Sequence, residues 1–264
     1  MPFQIQQPTP KKYKQVTLTG YTEEPGVTEI IVPEEIKALG RECFLGCQQI
    51  ASVILPDSIT EIPYRAFKNC KNLRRIRIPE TVVRIGEGAF SGCEALKEIT
   101  LPENLEAIDS YAFYGSERLM KFRLADGIFR VCMQDIYQKQ NDTDLLKEFL
   151  CEKNPVKRKH LFAMTGDTKY RSAMAYYLIQ CSQADDEIRK YARRNITKTA
   201  KFYMEYQETE GLQELFATGF VTKANIEKLL EYAISHKYHE SYLLLLEYKN
   251  QHIGYQDPAK KLKL

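Results

Sequence analysis

Tryptophan is absent from this sequence, and histidine is sparse, with four residues in 264. The four (His160, His236, His239 and His252) all fall in the second half, and none is spaced from a serine, cysteine or carboxylate as a nucleophile–base pair would be. There is no glycine-rich phosphate loop, no G-x-S-x-G and no H-E-x-x-H, so no residue is offered for an enzyme's chemistry. An excess of one charge is lacking too. The formal net charge is +3, with 17 basic and 18 acidic side chains in residues 1–136 and 21 and 17 in residues 137–264. Bulk electrostatics therefore point to neither nucleic acid nor a membrane surface. No apolar run reaches the length of a membrane span, and the opening MPFQIQQPTPKKYK has no apolar signal region. The expectation is a cytoplasmic chain as given, or a secreted or cell-surface one if an upstream leader has been removed.

What the sequence has instead is a repeat. Proline returns every 23 residues at Pro33, Pro56, Pro79 and Pro102, with Ala125 at the next phase. Three residues after each comes an aliphatic (Ile36, Ile59, Val82, Leu105, Ile128), and three further on another (Leu39, Ile62, Ile85, Ile108, Val131). A small residue and an aromatic come next, at Cys43-Phe44, Ala66-Phe67, Ala89-Phe90 and Ala112-Phe113. Then come Cys47, Cys70, Cys93 and Ser116, and after them Ile50, Leu73, Leu96 and Leu119. Each unit closes on an alternating pair: Ile30/Val32, Val53/Leu55, Ile76/Ile78, Ile99/Leu101 and Phe122/Leu124.

A unit this short cannot enclose a core alone, whereas stacked units bury one another's apolar positions, so the period predicts a solenoid. The alternating segment before each proline suits one strand per coil in a parallel sheet, and proline, lacking an N–H, ends that strand. At these residues the chain resembles the BspA-type leucine-rich repeat over about residues 26–131. The resemblance implies a curved binding scaffold, often associated with cell surfaces and host contact, with no catalytic centre. Cys43, Ser116 and Ala125 depart from the usual Ala, Cys and Pro, and they fall in the end coils.

Three segments are expected: an N-terminal tail and capping strand (1–25), the leucine-rich repeats (26–134) and an α-helical domain (135–264). Within the first, residues 1–12 read as flexible, and Val16 and Leu18 mark a strand over Tyr13–Tyr21. After the coils a degenerate last coil continues to about Cys132. The rest is rich in Tyr, Leu, Lys and Glu at helical spacing. It predicts helices around Leu145–Leu150, Val156–Met164, Tyr170–Cys181, Asp185–Arg194, Thr197–Tyr206, Thr209–Thr218, Lys223–Ser235 and Tyr238–Tyr248, then a frayed tail. The segment from Thr222 to Tyr248 resembles an ankyrin helix pair and Glu210–Phe220 the second helix of a preceding one, without the T-P-L-H signature. The fold class expected is thus an α+β repeat protein, a leucine-rich-repeat solenoid followed by an all-α helix-pair repeat domain.

Outward strand positions (Glu29/Ile31, Ser52/Ile54, Arg75/Arg77, Glu98/Thr100, Lys121/Arg123) should line the concave sheet surface. With Arg74 and Lys97 beside them, the later coils carry a basic stripe, and Arg74, Arg75, Arg77, Lys97, Thr100, Lys121 and Arg123 are the candidate contacts for an acidic protein or glycan. A second basic cluster, Lys157-Arg158-Lys159-His160 with Arg189, Lys190, Arg193 and Arg194, is diluted by Asp185, Asp186 and Glu187. Ten helical tyrosines (170, 176, 177, 191, 203, 206, 232, 238, 242 and 248) read as interhelix packing, or as a partner groove if exposed. The seven cysteines read as buried thiols, though stacked coils could equally bring neighbouring thiols within reach of a disulfide, and neither the Cys43/Cys47 pair nor His236/His239 makes a metal site. The functional expectation is a non-enzymatic protein–protein interaction scaffold, acting through the strand surface or a helical groove, without cofactor, metal or small-molecule substrate. A cell-surface adhesin or antigen, and a nucleic-acid-binding helical domain, are the alternatives.

Overall fold

In a computed structural model, the chain is described at residues 2–8, 15–116, 119–132 and 140–254. The expected boundary at 134/135 and the expected frayed tail lie outside these residues. The chain packs as two units, Met1–Tyr177 and Leu178–Leu264.

The first unit is built on a parallel-sheet solenoid of about 5 turns over residues 17–123. One wall carries strands β3 (Glu29–Ile31), β5 (Ser52–Ile54), β7 (Arg75–Arg77), β9 (Glu98–Thr100) and β11 (Leu119–Leu124). Their registers, Ile30↔Val53↔Ile76 and Ile99↔Phe122, step by the 23 residues of the sequence repeat. The structure adds a second, two-residue strand to each coil: β4 (Ala38–Leu39), β6 (Glu61–Ile62), β8 (Arg84–Ile85) and β10 (Ala107–Ile108). This wall is continuous from β6 to β10 but interrupted between β4 and β6. At that phase Gly40, Gly86 and Asp109 donate to the preceding coil, to Leu18, Ile62 and Ile85. The corresponding residue is Pro63, which has no N–H to give.

The third side of each coil is a turn, and it too is laddered. The amides of Phe44, Phe67 and Phe90 donate to the carbonyls of Ala66, Ala89 and Ala112 at 2.8, 2.8 and 2.7 Å. Two residues per turn sit at positive φ: Glu42, Arg65, Gly88 and Tyr111 at one phase, and Gly46, Asn69, Gly92 and Gly115 at the other. Inside, Phe44, Phe67, Phe90 and Phe113 form a column with centroids 4.9, 5.4 and 5.4 Å apart and nearly parallel planes.

Beside that column the thiols do more than fill space. Cys70 and Cys93 donate to the carbonyls of Phe44 and Phe67, each in the preceding coil, at 3.0 and 3.1 Å, and Ser116 Oγ donates to Phe90 in the same way at 3.1 Å. Serine replaces cysteine there without loss of the bond. Burial pushes the Cys43 and Cys93 thiols up to about 12.

Both ends of the stack are closed by antiparallel pairing. At the N-terminal end β2 (Thr17–Tyr21) pairs in parallel with β4 and antiparallel with β1 (Phe3–Gln6). Residues 3–6 are therefore a strand, where a flexible tail was expected, because Phe3 and Ile5 alternate with glutamines and β2 offers a free edge. At the other end β12 (Gly127–Cys132) folds back on β11 as a hairpin with Leu124 opposite Gly127. It does not form the further coil expected there, since the chain reverses at Ala125-Asp126 and covers the last open edge.

Helices α1 (Gln140–Cys151), α2 (Pro155–Met164) and α3 (Thr168–Gln180) come after the hairpin. Asn154 caps α2 by accepting from the Val156 and Lys157 amides, with Pro155 in the first turn. Phe149 of α1 and Tyr177 of α3 meet Phe129 of the hairpin, the three centroids lying 5.5 to 5.8 Å apart.

The second unit contains α4 (Asp186–Glu205), α5 (Thr209–Ala217), α6 (Lys223–Ser235) and α7 (His239–Tyr248), ending in a π-helical turn, Lys249–Ile253. Helix α4 is continuous where two helices were expected. Asn195 looks like a breaker, but its side chain donates to the Tyr191 carbonyl, and Ala192, Ile196, Thr199, Ala200 and Tyr203 form one buried stripe through it. Helix α4 lies against α6 and α5 against α7, so the helices stack as two pairs. Each pair turns alike: Glu208 and Tyr238 amides donate to the Tyr203 and Ala233 carbonyls, with Gln207 and Lys237 at positive φ. None of the ten tyrosines is exposed, which fits packing. Among the described residues no helix is long and apolar enough to cross a membrane.

Candidate functional site

Two hollows in the first unit hold charge, and they differ in how that charge is used. The first, of about 360 Å³, is lined by residues of coils four and five and by Asp126, Leu150, Lys153 and Arg158. Arg158 is only 4% exposed; its guanidinium donates to Asp126 Oδ2 at 2.7 Å and to the Glu152 carbonyl at 2.5 Å. Its charge also lies 5.1 Å from the ring centre of Tyr177, whose hydroxyl donates to the other Asp126 oxygen. Burial drives the Asp126 carboxyl up, but the hydrogen bonds from Tyr177 and Arg158 and the guanidinium charge outweigh it and hold the group below the usual carboxylate range. Arg158 and Asp126 answer each other from within the fold, so this is a staple between the hairpin turn and α2–α3. Arg158 is thereby removed from the basic surface cluster expected around Lys157–His160, whose remaining members belong to different units from Arg189–Arg194.

The second hollow, of about 720 Å³, opens on the strand-bearing wall and is lined by Arg74, Arg75, Ile76, Ala95, Lys97, Glu98, Ile99 and Thr100. It brings together four of the seven residues expected as contacts: Arg74, Arg75, Lys97 and Thr100. All four are exposed. The other three lie on the same wall but are engaged. Arg77 faces Asp57 at 3.5 Å, Arg123 is ion-paired with Glu98, and half-buried Lys121 stands opposite Glu98 in the register. Lys71, at the border, is paired with Glu94 at 3.1 Å.

The hollow coincides with a seam. Strands β3, β5 and β7 form one sheet and β9, β11 and β12 another, with no ladder between β7 and β9 among the described residues. Val32, Leu55 and Leu101 each donate to the next coil, to Ile54, Arg77 and Arg123, but Ile78 at the same phase has no such bond among the described residues. Ile76 and Ile78 accordingly show 8% and 7% of their surface, against 1% and 0% for Val53 and Leu55. Nothing in the apolar pattern distinguishes this pair of coils from the others, so sequence reasoning could place the cations but not the seam.

The second unit carries a groove of about 340 Å³ between α5 and α7, where Phe216, Tyr248 and His252 stack at 4.6 and 4.5 Å. Among the described residues no three His, Cys, Asp or Glu side chains gather as a metal site requires.

Two strands per coil, an aromatic column and hairpin-closed ends define a leucine-rich-repeat solenoid. Its repeats are of the BspA type: residues 19–141 match the family described as "BspA type Leucine rich repeat region" in six copies. Solved structures similar to the chain include a leucine-rich repeat protein from Bacteroides capillosus, 27% identical over 46% of this chain and 94% of that one, with a TM-score of 0.38. One from Bacteroides ovatus is 29% identical over 46% of this chain and 36% of that one, TM-score 0.38. A leucine rich cell surface protein from Faecalibacterium prausnitzii is 26% identical over 43% of this chain and 29% of that one, TM-score 0.37. The chain thus spans about a third of the latter two. No curated protein matches it.

Proposed function

We propose that the chain is a non-enzymatic scaffold that binds a protein partner on the strand-bearing wall of its coils, with Arg74, Arg75, Arg77, Lys97, Thr100, Lys121 and Arg123 as the contact strip. One observation carries this reading: the side chains of Arg74, Arg75 and Lys97 line an open hollow and make no ion pair among the described residues, although carboxylates answer their neighbours. The helix pairs of the second unit are read as ankyrin-like, and the groove between α5 and α7 as a subsidiary contact.

The test is affinity capture from the source organism's lysate by the immobilised full chain. Wild type is expected to retain a protein that the Arg75→Ser/Arg77→Ser/Arg123→Ser variant loses. Equal capture by both would remove this wall as the binding surface.

A further inference from the structure

The seam between β7 and β9 combines three features that occur together nowhere else among the described coils. It has cations without counter-ions, slightly uncovered apolar side chains, and strand edges lacking the ladder that joins their neighbours. We infer that it receives an extended acidic segment of a partner protein, with carboxylates on Arg74, Arg75 and Lys97 and the peptide's main chain over Ile76 and Ile78. This deepens the proposed binding on the strand wall and rests on it.

Charge complementarity fixes the occupant's sign, and the borders of the patch fix its length. Three cations in adjacent coils stand within the reach of a short strand, in which side chains on one face recur about every 7 Å. On either side the basic stripe is already neutralised, Arg77 by Asp57, Arg123 by Glu98 and Lys71 by Glu94. A long uniform polyanion crossing this wall would meet those carboxylates within a coil or two. A short acidic segment would meet only Glu98, already held by Arg123. The unladdered Ile78 N–H adds a main-chain donor at the same place, to which a peptide carbonyl can bond as in strand addition.

The experiment is fluorescence anisotropy on the full chain with a short labelled peptide in which Glu alternates with Ser. Its controls are the matching Lys–Ser peptide, a sulfated oligosaccharide and a single-stranded oligonucleotide. Wild type should bind the Glu–Ser peptide in preference to all three, more weakly as salt is added. Arg74→Ser/Arg75→Ser/Lys97→Ser should weaken that binding about tenfold or more, on the scale of three exposed charge contacts. Removing the same charge elsewhere, by Lys190→Ser/Lys223→Ser/Lys228→Ser, should change it less than about twofold. All six positions are exposed, and circular dichroism on both variants checks that the fold is kept. Equal binding of the Lys–Ser peptide, preference for the oligosaccharide or oligonucleotide, or unchanged binding by the seam variant would each overturn the inference. If the peptide fails while lysate capture still depends on Arg75, Arg77 and Arg123, the acidic segment falls and the scaffold reading stands. If capture is also indifferent to those three, both fall.

Discussion

At Asp126 two opposed effects meet on one carboxylate, and their balance decides what it contributes. Partial burial penalises the charged form, whereas Tyr177 and Arg158 stabilise it and prevail. A group whose folded pKa is depressed stabilises the fold above its unfolded pKa, and that contribution is lost as pH falls through the folded value. Asp126→Asn should therefore cost stability at neutral pH, where it strands a guanidinium only 4% exposed, and cost progressively less below about pH 4. Breaking a fully buried pair costs about 3–5 kcal/mol. Since the Asp126 side chain is 36% exposed, solvent screening reduces the expectation to about 2 kcal/mol. Urea titrations of both proteins at pH 7 and pH 3 check this; a difference independent of pH would refute the pairing. The cluster was not legible in the sequence, because Asp126 and Arg158 are 32 residues apart and Arg158 lies beyond the repeat. Seen alone, Arg158 is one more cation in Lys157–His160.

The elements show which patterns carry through from sequence and which are lost. A strand with an alternating apolar pair announces itself, so β3, β5, β7 and β9 stand where Ile30/Val32 and its successors placed them. A two-residue strand such as Ala38–Leu39 is too short to show a period, and β4, β6, β8 and β10 were invisible for that reason. Helix α4 runs unbroken through Asn195, where the sequence reading divides it, because the buried stripe on both sides of that residue outweighs the turn preference of asparagine. The aromatic column was legible as a repeated residue, and the structure gives it geometry. Phe67 is wholly buried between Phe44 and Phe90, so Phe67→Ala opens a cavity that neighbouring coils, held by backbone bonds on both sides, cannot collapse to fill. The expected cost is about 3–5 kcal/mol, near the upper end for such a substitution. Chemical denaturation measures it, and a loss below about 1 kcal/mol would mean that the coils relax around the gap.

At the scale of the whole molecule, a stack of coils is stable only as far as its ends are covered, because each coil borrows half its core from a neighbour. One end is covered by β1 and β2, the other by β12 and then by α1–α3, whose Phe149 and Tyr177 enclose Phe129. A chain that leaves an apolar edge must bury it against its next elements, and here those are the first helices. Residues 1–132 are therefore not a folding unit. Cutting there uncovers Phe129, which is fully buried, and leaves Asp126 without Arg158 and Tyr177. With about 2–3 kcal/mol for the aromatic, further losses from the aliphatic edge and the broken staple, the deficit reaches roughly 5 kcal/mol, comparable with the entire stability of a small domain. Residues 1–183 retain α3 with the turn that ends it, in which the Gln183 amide donates to the Leu178 carbonyl. Expressed alone, 1–183 should elute as a monomer and unfold cooperatively in urea, whereas 1–132 should aggregate or unfold without a cooperative transition. Equal stability of the two fragments would show that the helices sit on a solenoid already complete without them.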